Sequence, residues 1–298
     1  MPQAKANGID IHYETFGDPK AEPMLLIMGL GAQMTRWPPA LCQAIADRGF
    51  HVVRFDNRDV GLTTHFNDAG IPDLSKISGA RARGEKPDVP YTLSDMAADA
   101  VGLLDALHIG KAHIVGASMG GMIAQLVAAE HPERTLSLTS IFSNTGNPAI
   151  VAKPEAMAVL TNRPPHPSDE EAYLKHTVAS ARVTGSPAYP AEEALLRANA
   201  LADVKRAYNP SGFSRQMAAI TATGDRREKL KTITAPTIVI HGEADPLVPV
   251  EGGRDTHATI PGAEIVTFPG MGHDLPPALW DQIIAAIVSV TERAKAGA

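Results

Sequence analysis

"HIVGASMGGMIAQ", residues His113–Gln125, places Ser118 between Gly116 and Gly120 where an apolar run gives way to a helix-period stretch. The run "AHIVGA" (112–117) is short and ends at small residues, as a strand covered on both faces of a parallel sheet does. A serine in the turn that follows such a strand is lifted clear of the sheet, provided that its glycine neighbours leave room for the backbone to pass. The same residues also admit a plainer reading, with Ser118 as the cap of the next helix and the glycines as turn formers. Five positions do not choose between the two, so the choice rests on the remainder of the chain.

Working outward, the pattern repeats. "MLLIMG" (24–29), "HVVRFD" (51–56), "LSLTSIF" (136–142), "PTIVIHG" (236–242) and "AEIVTF" (263–268) are further buried-strand runs. Helix-period stretches alternate with them: "PPALCQAIADRG", "LSDMAADAVGLLDALHIG", "GGMIAQLVAAEHPE" and "LWDQIIAAIVSVTERAKAG". Strands that alternate with helices of this length form right-handed βαβ units, and these put helices on both faces of one sheet. The expected fold is therefore α/β, a doubly wound and mostly parallel sheet. Ile9, Ile11 and Tyr13 alternate with polar residues instead, which predicts antiparallel strands at the start.

One region breaks this rhythm. Residues 144–224 contain no strand pattern, and "SDEEAYLKHTVASARV" and "PAEEALLRANALADVKRAY" read as helices, the first opened by Ser168 and Glu171 in capping-box spacing. We read 1–143 and 225–298 as the α/β core and 144–224 as an inserted helical lid at the strand ends. The polar stretch 65–90 reads as a second excursion near the same rim.

Composition narrows the function classes. Among 298 residues, 44% are hydrophobic and 20% charged, with a net charge of -6 and no clustering of Lys and Arg, which argues against nucleic-acid partners. No apolar run reaches the roughly 18 residues of a membrane span. The first residues show no signal-peptide core, so a cytoplasmic location is expected. Cys42 sits at a helical core spacing and reads as packing.

A serine hydroxyl needs a histidine base and a carboxylate to orient it. Asp245 follows the run "PTIVIHG", and His273 lies 28 positions further on in "PGMGHDLP", so both fall just past apolar runs, at the strand edge where ligands of such sheets bind. His241 competes for the base, and Glu243 and Asp274 compete for the carboxylate. Asp56 reads as a turn residue that bonds nearby amides beside Arg58. Backbone amides are the expected oxyanion donors: Leu30 in "MGLG" and Met119 after the serine, each of the kind whose loss costs roughly 3 to 4 kcal/mol of barrier. There is no metal-ligand spacing and no dinucleotide fingerprint, so no cofactor and no metal are expected.

Taken together, "MGLGAQMTRW", "FDNRDVGLT", "GASMGGMIAQ", "APTIVIHGEADPLVP" and "PGMGHDLP" resemble the α/β-hydrolase superfamily in order and spacing over nearly the whole chain. Within it the chain is similar to the small bacterial carboxylesterases that include aclacinomycin methylesterase. The resemblance implies acyl transfer with Ser118 as nucleophile, His273 as base and Asp245 as its partner. Two departures stand out. Met28 replaces a histidine common before the oxyanion glycine, and Asp59 and Thr63 replace the glycine and serine of the D-x-R-G-x-G-x-S turn. Serine at 118 disfavours the epoxide hydrolases and haloalkane dehalogenases of this fold, which use aspartate there.

The expected substrate is a small or medium apolar ester, with Trp37 at the pocket and Met34, Met119, Met157, Met217 and Met271 available to line it or to fill the core. An iminopeptidase, a lactonase or a carbon-carbon bond hydrolase would use the same triad. An iminopeptidase would also need lid carboxylates such as Glu170, Glu171, Glu192 and Glu193. A ligand-sensing receptor on the hydrolase fold is the rival from outside the enzymes.

Overall fold

Residues such as those of "EPMLLI" point alternately to the two faces of a sheet, and each face needs a cover. The computed structural model describes residues 2–296. Its eight strands are β1 (Gln3–Ala6), β2 (Ile9–Phe16), β3 (Glu22–Ile27), β4 (Phe50–Phe55), β5 (Ala112–Ala117), β6 (Thr135–Ile141), β7 (Thr237–Gly242) and β8 (Glu264–Phe268). They form one sheet in the order β1-β2-β4-β3-β5-β6-β7-β8. The first two strands pair antiparallel, β2 joins β4 antiparallel, and all later pairings are parallel. The fold class read from the sequence is therefore observed.

Leu25 and Ile27 of β3 pack into the layer under α3 (Leu93–Ala106) and α4 (Met119–Glu130), while Met24 and Leu26 pack into the opposite layer under α1 (Pro39–Ala46) and α11 (Trp280–Ala296). This two-sided burial is why the central strands read as unbroken apolar runs. Each fully buried aliphatic side chain contributes about 1.5–3 kcal/mol. Thr92 opens α3 with a capping box, its hydroxyl accepting from the Asp95 amide and the Asp95 carboxylate accepting from the Thr92 amide. The short α2 (Leu74–Ala82) lies in the polar excursion and packs against the insertion. Near β7 and β8, α9 (Arg227–Leu230) and α10 (Val250–Thr259) complete the core.

Between β6 and β7 come α5 (Pro154–Thr161), α6 (Glu170–Thr184), α7 (Glu193–Arg206) and α8 (Pro210–Thr223). The cap of α6 is Asp169, whose carboxylate accepts from the Ala172 amide, and not Ser168 as the spacing predicted. Either residue supplies a short acceptor; here the Ser168 hydroxyl and amide both engage the His166 imidazole. The two chain connections to the insertion are clasped by the buried Arg226, whose Nη2 donates to the Asn144 carbonyl and Nη1 to the Gly224 carbonyl. Burial lowers this guanidinium to about 10.

Topology positions the site. The crossover through α1 carries the chain from β3 to β4 in one direction along the sheet; the next crossover returns past β3 to β5, and β6 to β8 continue the other way. The loops leaving β3 and β5 thus depart to opposite faces and open a crevice between their ends, the place where such sheets bind ligands. No helix among the described residues is long and apolar enough to cross a membrane.

Candidate active site

Ser118 stands at that crevice with φ 57° and ψ -122°, a backbone region that costs a non-glycine residue on the order of 1–3 kcal/mol. The surroundings over-determine it. Its amide donates to the Ile141 carbonyl at 2.9 Å, and its own carbonyl accepts from the Ser143 hydroxyl at 2.8 Å. A Cβ on Gly116 would overlap the Gly120 carbonyl, and one on Gly120 would overlap the Ile27 carbonyl. Glycine at both places is therefore a condition for the turn, and the side chain of Ser118 does not cap α4.

His273 reaches the serine from the loop after β8. Its Nε2 lies 2.9 Å from Ser118 Oγ, and its Nδ1 lies 2.6 Å from Asp245 Oδ2. Asp245 is buried in the turn after β7, where its Oδ1 accepts from the Leu247 amide at 2.8 Å and the Val248 amide at 2.9 Å. The Phe142 ring packs on the imidazole. Three residues that span 155 positions of the chain thus form one hydrogen-bonded row.

The competitors are placed elsewhere. His241 is fully buried, with Nε2 2.8 Å from the Val248 carbonyl and 3.9 Å from Asp245; burial lowers its pKa, so it stays neutral. Glu243 accepts from the Thr267 hydroxyl. Asp274 bonds the Ser186 hydroxyl and amide, and burial raises its carboxyl above the usual range. Ser186 in turn accepts from the Gly272 amide at 2.9 Å, and the His273 amide donates to the Thr184 carbonyl at 2.7 Å. The end of α6 therefore grips the histidine loop on both sides of His273. Nothing in the chain's periodicity signals this grip.

Gly29 faces the serine: a Cβ there would sit 3.0 Å from Ser118 Cβ. The amides of Leu30 and Met119 have no acceptor among the described residues, and both belong to the segments that converge on Ser118. Asn57 Nδ2 donates to the Met28 carbonyl at 2.8 Å, which steadies the turn. Thr63 donates to the Asp56 carbonyl and accepts from the His12 amide, so the turn tolerates threonine.

Asp59 adopts φ 70°, where the related pattern has glycine. Its carboxylate is fully buried and takes a bidentate pair from Arg215 of α8 at 2.8 and 2.7 Å, plus the Tyr91 hydroxyl at 2.6 Å. Burial alone would raise this carboxyl, but the guanidinium and hydroxyl outweigh it and hold it below the ordinary value. Asp56 accepts from the Leu62 amide, as expected, and also from the Met34 amide; its ionic partner is Arg206 of α7, whereas Arg58 pairs with Asp99.

Trp37, expected at the pocket, is fully buried in the cluster that holds Leu41, Cys42 and Ile45, between the sheet and α1. Met34, Met119 and Met271 are likewise fully buried, while Met157 is exposed and Met217 half-buried. An indole followed by a proline and an apolar helix face is core material first. Cys42 is buried beside it, and burial raises its thiol to about 12, so it is inert. Glu170, Glu171, Glu192 and Glu193 are all exposed at helix starts, and Glu171 and Glu193 pair with Arg197. No group of three His, Cys, Asp or Glu among the described residues is arranged to hold a metal ion.

The model of the alpha/beta hydrolase fold family matches residues 22–276. The chain belongs to the alpha/beta hydrolase family. This hydrolase is 29% identical over 301 residues to rhodomycin D methylesterase DauP of Streptomyces sp. (strain C5), an alignment that spans 94% of each chain. In fold it is similar to a meta-cleavage product hydrolase of Pseudomonas fluorescens IP01, with a TM-score of 0.77 at 21% identity over 99% of this chain and 98% of the other. It is similar also to the enol-lactonase of Burkholderia xenovorans LB400, with a TM-score of 0.73 at 23% identity over 98% and 100% of the two chains.

Proposed function

We propose that this hydrolase is a serine-dependent carboxylic ester hydrolase that acts on small to medium apolar esters through an acyl-enzyme. The observation that carries the reading is the row Ser118 Oγ, His273 Nε2 and Nδ1, Asp245 Oδ2, with spacings of 2.9 and 2.6 Å. Asp245, fixed by two backbone amides, accepts from the Nδ1–H tautomer and so turns Nε2 into the acceptor of the serine proton. Ser118 Oγ then bonds the ester carbonyl carbon as its proton passes to Nε2. The unpartnered amides of Leu30 and Met119 serve the resulting oxyanion. The imidazolium next protonates the departing alkoxide, and water repeats the sequence to release the acid.

The methylesterase relative supports an ester as the scissile group. Leu30, Phe142 and Phe213 lie about the turn and the imidazole and favour an apolar substrate. The helices of 144–224 act in this reading as the lid.

A chromogenic short-chain ester and a serine-directed fluorophosphonate test it together. Turnover and labelling at Ser118, both abolished in Ser118→Ala without a change in melting temperature, are the expected result. Stoichiometric labelling with no turnover of any ester or lactone would sink the esterase reading in favour of another scissile bond or a ligand receptor.

A further inference from the structure

We propose that Gln216, on the inserted helix α8, is a positioning residue for the oxyanion turn, a role that rests on the acyl-transfer reading above. Its side chain is fully buried and uses both ends of its carboxamide. Oε1 accepts from the Gly31 amide at 2.8 Å, and Nε2 donates to the Arg58 carbonyl at 2.8 Å. These two backbone groups belong to different loops of the core, and one side chain from the insertion joins them.

The turn is tied at both ends. Asn57 holds the Met28 carbonyl at its start, and Gln216 holds the Gly31 amide at its close. Between them lies Leu30, whose N–H has no acceptor among the described residues. Gly31 sits at φ 65°, and a Cβ there would meet the Phe213 ring at 2.7 Å, so two residues one helical turn apart on α8 press and bond the same glycine. Gln216 is itself anchored, because its neighbour Arg215 is locked bidentate to Asp59.

The physical consequence concerns two adjoining peptide planes. Without an acceptor for the Gly31 N–H, the Leu30–Gly31 peptide is held by packing alone at a residue that permits either sign of φ, and the preceding Gly29–Leu30 peptide, which carries the Leu30 N–H, loses the anchor that fixes its aim. A donor that must reorganise during the reaction stabilises the oxyanion less than one fixed beforehand. In this arrangement α8 is part of the oxyanion hole's framework as well as a cover, and the insertion's docking sets catalytic competence.

Gln216→Met keeps the volume and removes both bonds, while Gln216→Glu keeps the acceptor toward Gly31. Rates are normalised to reactive serine by fluorophosphonate titration, so that unfolded protein does not count. For Gln216→Met, kcat is expected to fall about 10- to 100-fold with little change in KM, somewhat less than the loss of a whole donor. The inhibition constant of a trifluoromethyl ketone, which forms the tetrahedral adduct, rises by the same factor. Amide exchange at Gly31 accelerates in Gln216→Met and stays protected in Gln216→Glu, which supplies the readout should the methionine variant fold poorly. Wild-type kcat and ketone affinity per titrated site in Gln216→Met, or Gly31 protection unchanged by both substitutions, would overturn the proposal. Failure of the wild type itself to turn over esters strikes the functional reading and leaves the exchange result to judge Gln216.

Discussion

The Phe142 ring lies 4.6 Å, centroid to centroid, from the His273 imidazole and is tilted 54° to it. Phe142 holds φ 34°, a conformation rare for a bulky residue, and its amide donates to the Ile240 carbonyl at 2.8 Å. Strain of this kind persists where the surroundings enforce it, next to the chemistry. The ring thus backs the proposed base from the end of β6. Phe142→Ala is expected to cost about 3–5 kcal/mol of stability through the cavity it leaves. Phe142→Leu, measured by denaturant melts and steady-state kinetics, should lose less stability and still show a lower kcat at nearly constant KM.

Asp245→Asn separates orientation from folding. The amide oxygen still accepts from the Leu247 and Val248 amides, so the melting temperature should change little. The Nδ1–H of His273 loses its charged acceptor, and kcat is expected to fall by about 10⁴-fold. Wild-type turnover in this variant would remove Asp245 from the proposed triad.

Gly120→Ala tests the tight turn. The new methyl meets the Ile27 and Met28 carbonyls, which are backbone and cannot swing aside. A loss of at least about 3 kcal/mol, read as a large drop in melting temperature or in soluble yield, is expected from such overpacking.

Asp59 and Arg215 should fail singly and recover jointly. Arg215→Met leaves a fully buried carboxylate without its cation, a change worth roughly 3–5 kcal/mol. Adding Asp59→Gly removes that charge and suits the φ of 70°, so the double variant is expected to be more stable than Arg215→Met alone in chemical denaturation.

Acid should destabilise the protein in two stages. Burial lowers the pKa of His12, His113 and His241. A histidine with a native pKa below its unfolded value of about 6.5 binds more protons unfolded, so its stabilisation is complete above that pH and is lost as pH falls toward the native value. The melting temperature should therefore decline from pH 7 downward, with a shallower slope in His113→Gln. Asp59, held below the ordinary carboxylate range chiefly by Arg215 against the cost of burial, adds a second decline below about pH 4.

The sequence by itself determined the sheet, the place of Ser118 in the turn after β5 and the chain order of the proposed triad, Ser118, Asp245 and His273. Two-sided burial forces apolar runs such as Met24–Ile27 in β3 and Ile238–Ile240 in β7, and a backbone squeezed between β5 and α4 forces glycine at 116 and 120. These are local demands, met within a few residues and hence written in consecutive letters. Tertiary structure alone decided which carboxylate faces His273, that Asp169 and not Ser168 caps α6, and that Trp37 belongs to the core. It alone joined Asp59 to Arg215 across 156 positions and Gly31 to Gln216 across 185. Such pairs leave no period in the chain, because each partner satisfies its own segment's pattern and the bond between them exists only once the insertion has packed against the sheet's edge.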